Sequence, residues 1–283
     1  MPIEENRSFR RLRNQVKSFS VLDDNPEVLR LLGATEDAIV LLQKKVQELA
    51  PRVSRLTREP DRFNRVFRAR GWIAFGWMST DVMRGALDFA DKEMWDEADQ
   101  ALAEYFDRGT IELGLGRLWG VTAIHKRARL LRLALEDHCS GRFHASIPVL
   151  LAQIDGIVHD VARKTFYASK AEGPDHLVAE DSIAGHPEGL QALAILMSSR
   201  RSQTTDTLLD IPFRHGVLHG RDLAYDSHKT SSKCFAVILA LGEWAQCVEA
   251  GEDLPAPLEW PDPDELTWDN IQPWLAAILA SGR

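Results

Sequence analysis

The sequence is poor in cysteine and has no long hydrophobic run. Its 283 residues include three cysteines, which are scattered and form no CxxC pair. An odd, scattered set argues against a disulfide framework and against a structural zinc site. Because no run of 18 apolar residues occurs, the sequence predicts no membrane-spanning helix and no membrane partner. The first residues, Met1 to Arg7, lack the apolar core of a signal peptide, so we expect a cytoplasmic protein.

Several widespread catalytic signatures are also missing. There is no GxGxxG motif, no Walker loop, no GxSxG elbow and no cysteine–histidine signature of the known catalytic types. Nucleotide hydrolysis and acyl transfer therefore have no support in the sequence. Since no cofactor-binding pattern appears either, the sequence predicts no cofactor.

Charge is unevenly spread along the chain. The net charge is −8, but residues 1–70 carry 15 lysine and arginine residues against 10 acidic residues. An acidic whole does not favour general nucleic-acid binding, although a local basic patch can still bind a short RNA segment. This basic N-terminal segment fits either such a patch or the neutralisation of an acidic face. Basic residues also surround the motif described below, namely Arg200, Arg201, Arg214, Arg221, Lys229 and Lys233.

Helical spacing dominates the pattern, and the period of two that marks strands does not stand out. The predicted fold class is all-α, a helical bundle. Thr35 is a candidate N-cap for a helix that runs to about Ala50. Apolar positions from Ile39 to Leu56 alternate three and four apart, which fits a helix packed in its own domain or a short intermolecular coil. Pro51 is expected to kink or end this helix.

Three regions follow from composition. Residues 1–119 are a helical N-terminal region whose role the sequence does not assign. Residues 120–250 are expected to form a better patterned helical domain. Residues 251–283 form an acidic tail that holds five of the 13 prolines and three of the eight tryptophans. We expect this tail to wrap over the surface of its own domain.

Boundaries of the other elements are predicted from glycine, proline and apolar spacing. Four glycines punctuate residues 109–120, where a break is expected, and a polar loop of some twenty residues is expected at 169–189. A loop of this length exceeds what packing requires, which favours a functional role. Helices are predicted at about 93–107, 121–138, 147–168, 190–201 and 231–248.

The densest cluster of candidate functional residues is the segment Arg214–Arg221, which reads Arg-His-Gly-Val-Leu-His-Gly-Arg. An arginine followed five positions later by a histidine supplies two groups that a metal-free ribonuclease needs. The arginine can hold a phosphate, and the histidine titrates near neutral pH and can therefore move a proton.

The expected geometry of this segment is helical. If Asp210 caps the helix and Pro212 lies in its first turn, the motif begins at a positive helix end that attracts phosphate. His215 and His219 are four apart and share one face. Arg214 lies about 140° around the helix from His219, but its side chain is long enough to reach the same pocket. A second helix from a symmetry mate could also bring both groups to one phosphate.

Two other interpretations of the segment stay open. Roughly one Arg-x4-His pair is expected by chance from 25 arginines and 9 histidines, and one occurs. The segment therefore equally fits a helix end with solvated side chains. His215 and His219 also have the spacing of helical zinc ligands, although the glutamate that a metalloprotease places between them is absent.

The segment Pro212–Arg221, in a helical C-terminal half, resembles the HEPN superfamily (higher eukaryote and prokaryote nucleotide-binding domains). That family is marked by Arg-x4-His near the start of a late core helix, usually with a polar residue after the arginine, the place that His215 fills. The segment Ser146–Ile157 resembles the upstream helix of bacterial members, which often carry an acidic residue where Asp155 stands. The resemblance covers about residues 120–250.

The resemblance implies a bundle that dimerises, with the motifs of two subunits meeting at one cleft. Many members are metal-independent endoribonucleases used as toxins or in antiviral defence, whereas others bind nucleotides or have lost activity. By this analogy His219 is a general base or acid, and Arg214 stabilises charge on the phosphate. His215 would orient the substrate, and Asp155 would position Arg214 or a histidine. A solvated helix carboxylate is an equally good interpretation of Asp155.

The predicted function is therefore a metal-independent endoribonuclease, an RNA-binding hydrolase of a bacterial toxin or antiviral defence system. The predicted partners are the RNA substrate, a second copy in a homodimer, and an antitoxin or sensor protein. One alternative is a catalytically silent HEPN-like module that binds a nucleotide or a partner protein. Another is a helical scaffold in which Arg214 and His219 are incidental.

Overall fold

The structure of the protein, a computed structural model, describes residues 26–31, 35–167, 173–179, 181–208 and 210–250. These residues are mostly helical, and none of them forms a β-strand beyond one isolated bridge between Thr205 and Asp222. The prediction of an all-α fold is confirmed. The predicted tail, residues 251–283, lies outside the described residues.

Contacts divide the chain into two compact units, and the described residues 26–31 and 35–58 belong to one of them. Its described helices are α1 (Pro26–Leu31) and the first part of α2 (Glu36–Phe67). Helix α2 begins directly after Thr35, as predicted, but it continues past Pro51 instead of ending there. Of the predicted seam from Ile39 to Leu56, only the side chain of Ile39 is described, and it is buried.

The other unit includes the described residues between 59 and 250 and contains the candidate site. The end of α2 leads through a 3₁₀ turn, Arg68–Arg70, into the elements that follow. Its further helices are α3 (Thr80–Ala90), α4 (Trp95–Tyr105), α5 (Arg108–Arg117), α6 (Thr122–His125), α7 (Ala128–Cys139), α8 (Phe143–Ala162), α9 (Ala192–Met197), α10 (Arg214–Leu218) and α11 (His228–Ala250).

Helix α11 forms the centre of this unit. Every residue from Thr230 to Ala245 is buried, and the helix packs on α8 most extensively and on α4, α5 and α6 as well. Its apolar sequence explains why: a helix that is hydrophobic all round is stable only where neighbours cover every face. The residues on both sides of position 119 therefore share one core, so the predicted boundary there coincides with no break in packing.

The glycine-rich stretch at 109–120 is helical rather than broken. Helix α5 runs through Gly109, Gly114 and Gly116. A Cβ on Gly114 would lie 2.8 Å from Cδ2 of Leu239 on α11. The glycine therefore permits close packing of two helices, and this gain outweighs its poor helix propensity.

Helix α8 carries Asp155 and is the second core helix. Among the described helices, it is the one long and apolar enough to cross a membrane by length and composition alone. Its inward residues are buried, and the helix packs against α11 and α7. It begins at Phe143 and ends at Ala162, several residues before the predicted end. Arg163 terminates it in the left-handed conformation, with φ at 56°.

Two buried polar groups hold the unit together. The Glu243 carboxylate accepts hydrogen bonds from the backbone N–H groups of Gly76 (2.5 Å) and Ile183 (2.6 Å), so it joins two irregular segments to α11. The His138 ring lies between the Ser231 hydroxyl (2.8 Å) and the Phe106 carbonyl oxygen (3.2 Å). Both ring nitrogens of His138 therefore have partners inside the protein.

Candidate functional site

The motif helix α10 begins one residue after Phe213. Phe213 occupies the N-cap position and makes no side-chain cap hydrogen bond. The prediction that Asp210 caps this helix is therefore wrong, and Pro212 precedes the helix instead of lying in its first turn. The backbone carbonyl of Asp210 accepts a hydrogen bond from Nζ of Lys233 at 2.7 Å, which fixes the entrance to the motif on α11.

Five residues make α10 little more than one turn long. The dipole of a helix is the sum of its aligned peptide units, so one turn provides little of the positive end that the sequence analysis expected. Any attraction of an anion to this place therefore depends mainly on side chains.

Gly216 permits the tight turn that follows α10. Its carbonyl accepts hydrogen bonds from the backbone N–H groups of Arg221 (2.7 Å) and Asp222 (3.1 Å). The Asp222 carboxylate lies directly against the glycine, because a Cβ on Gly216 would overlap with Oδ2 of Asp222. Any side chain at position 216 would displace either the carboxylate or the helix.

Arg201 braces this turn from the preceding segment. Its guanidinium carbon lies 4.2 Å from the centroid of the Phe213 ring. Its Nε is 3.6 Å from Oδ1 of the buried Asp222. Its backbone N–H donates to Nδ1 of His215 at 3.4 Å. A ring nitrogen that accepts is unprotonated, so the neutral His215 ring carries its proton on Nε2 and can donate from there.

The two motif histidines lie side by side. Their ring centroids are 4.7 Å apart, and His219 is exposed. The pKa of His215 is lowered, first by removal of the ring from water and then by the positive charge of Arg221 and by His219, Arg200 and Arg214. His215 is therefore neutral near pH 7, which suits a group that donates from Nε2 to a phosphate oxygen.

Arg214 rests on an aromatic ring. Its guanidinium carbon lies 5.3 Å from the centroid of the Tyr167 ring, within cation–π range. The Tyr167 hydroxyl donates to the carbonyl oxygen of Leu151 on α8 at 3.0 Å. Burial, first of all, raises the pKa of Tyr167 well above its ordinary value, so the phenol keeps its proton. The ring is thus a fixed platform for Arg214.

Asp155 supports the segment of chain that carries Tyr167. Its Oδ1 accepts from the Thr165 hydroxyl (2.6 Å) and from the Phe166 backbone N–H (2.9 Å). These bonds hold the turn after α8 that carries Tyr167. The sequence analysis expected Asp155 to position either Arg214 or a histidine. These contacts fit the first role, because Asp155 holds the backbone that carries Tyr167, and Tyr167 in turn supports Arg214.

The site consists of two adjoining cavities that share Arg214. We call the first the motif cavity, with a volume of about 300 Å³. The second, the α8 cavity, has a volume of about 550 Å³, and its lining includes Arg127, Asp155, Arg163, Lys164, Arg214 and Leu218. The structure brings Arg214, His215 and His219 together in the motif cavity, whereas Asp155 lines the α8 cavity. The motif cavity is lined by Tyr167, Met197, Ser198, Arg200, Arg214, His215 and His219.

Of the basic residues near the motif in sequence, only some lie at the site. Arg200 lines the motif cavity. Lys233 instead lies fully buried in the core, where burial lowers its pKa to about 8, with its Nζ 5.1 Å from the centroid of the Trp72 ring. Lys229 borders a separate acidic groove beside Asp96. Closeness to the motif in sequence therefore does not identify which basic residues line the motif cavity.

Sequence reasoning missed Tyr167, Gly216 in its contact with Asp222, and the basic lining of the α8 cavity. No local sequence pattern predicts these features, because tertiary packing brings each one to the site. Within the described part of the chain, no three histidine, cysteine, aspartate or glutamate side chains cluster as metal ligands would.

In comparisons with known proteins, no family model, no curated protein and no solved structure matches the chain.

Proposed function

We propose that the protein is a metal-independent endoribonuclease whose reaction takes place in the motif cavity. One observation carries the proposal: Arg200, Arg214, His215 and His219 converge on a cavity whose described lining includes no acidic side chain. Such a site attracts a phosphodiester and offers proton-transfer groups within reach of it.

Arg200 and Arg214 would hold the phosphate. Arg214 is preoriented by the Tyr167 ring, so less side-chain freedom is lost on binding than for an unsupported arginine. Charge that develops on the non-bridging oxygens in the transition state meets this guanidinium, which is the electrostatic stabilisation that such reactions need.

Proton transfer would fall to His219. The ribose 2′-OH attacks the adjacent phosphorus as its proton passes to a base, the bond from phosphorus to the 5′ oxygen breaks, and that oxygen receives a proton. The products are a 2′,3′-cyclic phosphate and a 5′-OH. His219, exposed beside Arg214, supplies one of these two proton transfers. The Nε2–H of His215 orients a phosphate oxygen.

We also propose how the protein assembles and in which biological system it acts. The HEPN resemblance favours a homodimer in which a second copy completes the cleft with the other proton-transfer group. It also favours a cytoplasmic toxin or antiviral defence effector, controlled by an antitoxin or sensor protein. The three cysteines are unpaired, in keeping with a reducing compartment.

The test is cleavage of a mixed RNA panel in EDTA by the full chain. Wild type is compared with Arg214→Ala, His219→Ala and the matched control His144→Ala, an exposed histidine that lines neither cavity. We expect wild type and the control to leave cyclic phosphate ends, and both motif variants to lose activity while circular dichroism shows an unchanged helical content. An all-DNA panel should resist, because it lacks the 2′-OH.

Other outcomes are equally informative. Equal cleavage by wild type and both motif variants would disprove the assignment of the site. RNA or nucleotide binding without cleavage, lost in Arg214→Ala and kept in His219→Ala, would favour the silent binding module instead. That alternative rests on the same arginines and needs no proton transfer.

A further inference from the structure

We propose that the α8 cavity is a second phosphate subsite, which binds the RNA backbone next to the scissile phosphate. This inference rests on the proposed function of the motif cavity. It assigns a role to basic residues that the reaction itself does not use: Arg163 and Lys164 after α8, with Arg127 from the start of α7.

Continuity of the two cavities is the first argument. Arg214 lines both, so a strand whose phosphate lies on Arg214 in the motif cavity has the α8 cavity as its immediate neighbour. A cavity of about 550 Å³ is within the size range of ligand sites. Leu218, at the end of α10, adds an apolar surface where a ribose can pack.

The charge of the cavity is the second argument. Arg127 donates to Oδ2 of Asp160 at 2.8 Å, so this pair is close to neutral. Arg163 and Lys164 are exposed, and neither makes an ion pair with another residue of the described ranges. With Arg214 they leave the cavity positive against a single lining carboxylate, Asp155, which already accepts two hydrogen bonds.

The backbone at the cavity edge is the third argument. Arg163 has φ at 56°, a left-handed conformation that glycine or asparagine adopts at helix ends with less strain. An arginine there turns the chain sharply and presents its side chain and that of Lys164 at the cavity. On α8, Gly156 lets the Arg127 guanidinium cross the helix closely, since a Cβ would lie 2.6 Å from its Nη2.

The experiment measures binding separately from cleavage. Fluorescence anisotropy follows two RNA probes whose riboses are all 2′-O-methylated, so that neither can be cut: a dinucleoside monophosphate and a longer mixed-sequence oligomer. The double variant Arg163→Gly/Lys164→Ala removes two positive charges and tolerates the left-handed backbone. Its matched control is Arg129→Ala/Arg132→Ala, which removes two exposed charges of α7 outside both cavities.

We expect the affinity advantage of the long oligomer over the dinucleotide to shrink roughly tenfold in the cavity variant. The slope of log affinity against log salt should become shallower by about 0.7 for each phosphate of the single strand that the variant no longer neutralises. The control should keep both the advantage and the slope.

Equal losses in both double variants, or no loss in the cavity variant, would overturn the subsite and leave the proposed function standing. If wild type neither binds the long oligomer nor cuts RNA, the proposed function and the subsite both fail. The two failures are thus distinguishable in one set of measurements.

Discussion

Two histidine environments in the same unit differ in almost every physical respect. His138 is buried, both of its ring nitrogens have protein partners, and burial lowers its pKa to about 4. His219 lies exposed at the rim of a cavity beside Arg214 and His215. One histidine has no capacity left for a ligand, whereas the other is open to one.

The difference shows why residue type alone does not identify a site. A histidine whose donor and acceptor are both used inside the core stabilises the fold. A histidine with an unused nitrogen, next to a cation and in a cavity, can transfer a proton to a ligand.

Alanine substitutions of His219 and His138 should separate activity from stability. His219→Ala should lower the rate of RNA cleavage by about 10² to 10⁴-fold, the usual contribution of a general acid or base. It should leave the free energy of unfolding within about 0.5 kcal/mol of wild type, as for other surface changes. His138→Ala should cost about 3 kcal/mol of stability, because it leaves a cavity and removes the partner of the Phe106 carbonyl oxygen.

Urea unfolding and RNA cleavage of both variants provide the check. The contrast would fail if His138→Ala lost activity at temperatures where it remains folded, or if His219→Ala unfolded as easily as His138→Ala.

Acid should destabilise the protein through His138. Its pKa is near 4 in the folded protein and about 6.5 when unfolded, so between these values the unfolded chain binds a proton that the native state does not. The stability from a neutral His138 is complete above pH 6.5 and is lost as the pH falls towards 4, by about 3 kcal/mol. Unfolding of wild type and His138→Gln at pH 7 and pH 4 gives this difference directly. An equal acid loss in both proteins would contradict the assignment.

Gly216→Ala should disturb the site from within. The added methyl group would collide with Oδ2 of the Asp222 carboxylate, at a cost of about 2 kcal/mol if the turn gives way. RNA cleavage should fall because His215 and His219 flank the displaced turn. Gly220→Asn is the control, since asparagine tolerates the positive φ of 63° at Gly220. A fully active and stable Gly216→Ala would show that Asp222 can move without cost.

Two substitutions of Asp155 distinguish a positioning role from a catalytic one. Asp155→Ala removes the acceptor for Thr165 and Phe166 and should cost about 1 kcal/mol, with a moderate fall in activity. Asp155→Asn keeps an acceptor oxygen and should restore most of both. If Asp155→Asn were as inactive as Asp155→Ala, the carboxylate would take part in the reaction itself. Thermal unfolding and cleavage rates decide between these roles.

Local pattern predicted the helical fold class and the meeting of the motif residues, because both depend on short stretches of chain. Arg214 and His219 are five residues apart, so almost any compact turn leaves them near each other. Helix α11 was predicted almost to its ends, since its apolar run allows only a buried helix.

Tertiary packing explains what the pattern could not give. Asp210 has the right residue type for a helix cap, but its backbone is held by Lys233 of α11, so the helix begins later at Arg214. The pattern predicts a break around Gly114, because the contact of this glycine with Leu239 is invisible in sequence. Tyr167 lies 47 residues from Arg214 along the chain, and no local pattern connects them.

The position of Glu243 also bears on how the protein is made. Its carboxylate accepts hydrogen bonds from the backbone of Gly76, which precedes it by 167 residues, and of Ile183, which precedes it by 60. Because the ribosome synthesises the chain from the N-terminus, these hydrogen bonds cannot form until α11 has been synthesised. Lys233, which secures the entrance to the motif, emerges in the same interval. The entrance to the motif and the irregular segments around Gly76 and Ile183 are therefore among the last parts of this unit to be fixed during synthesis.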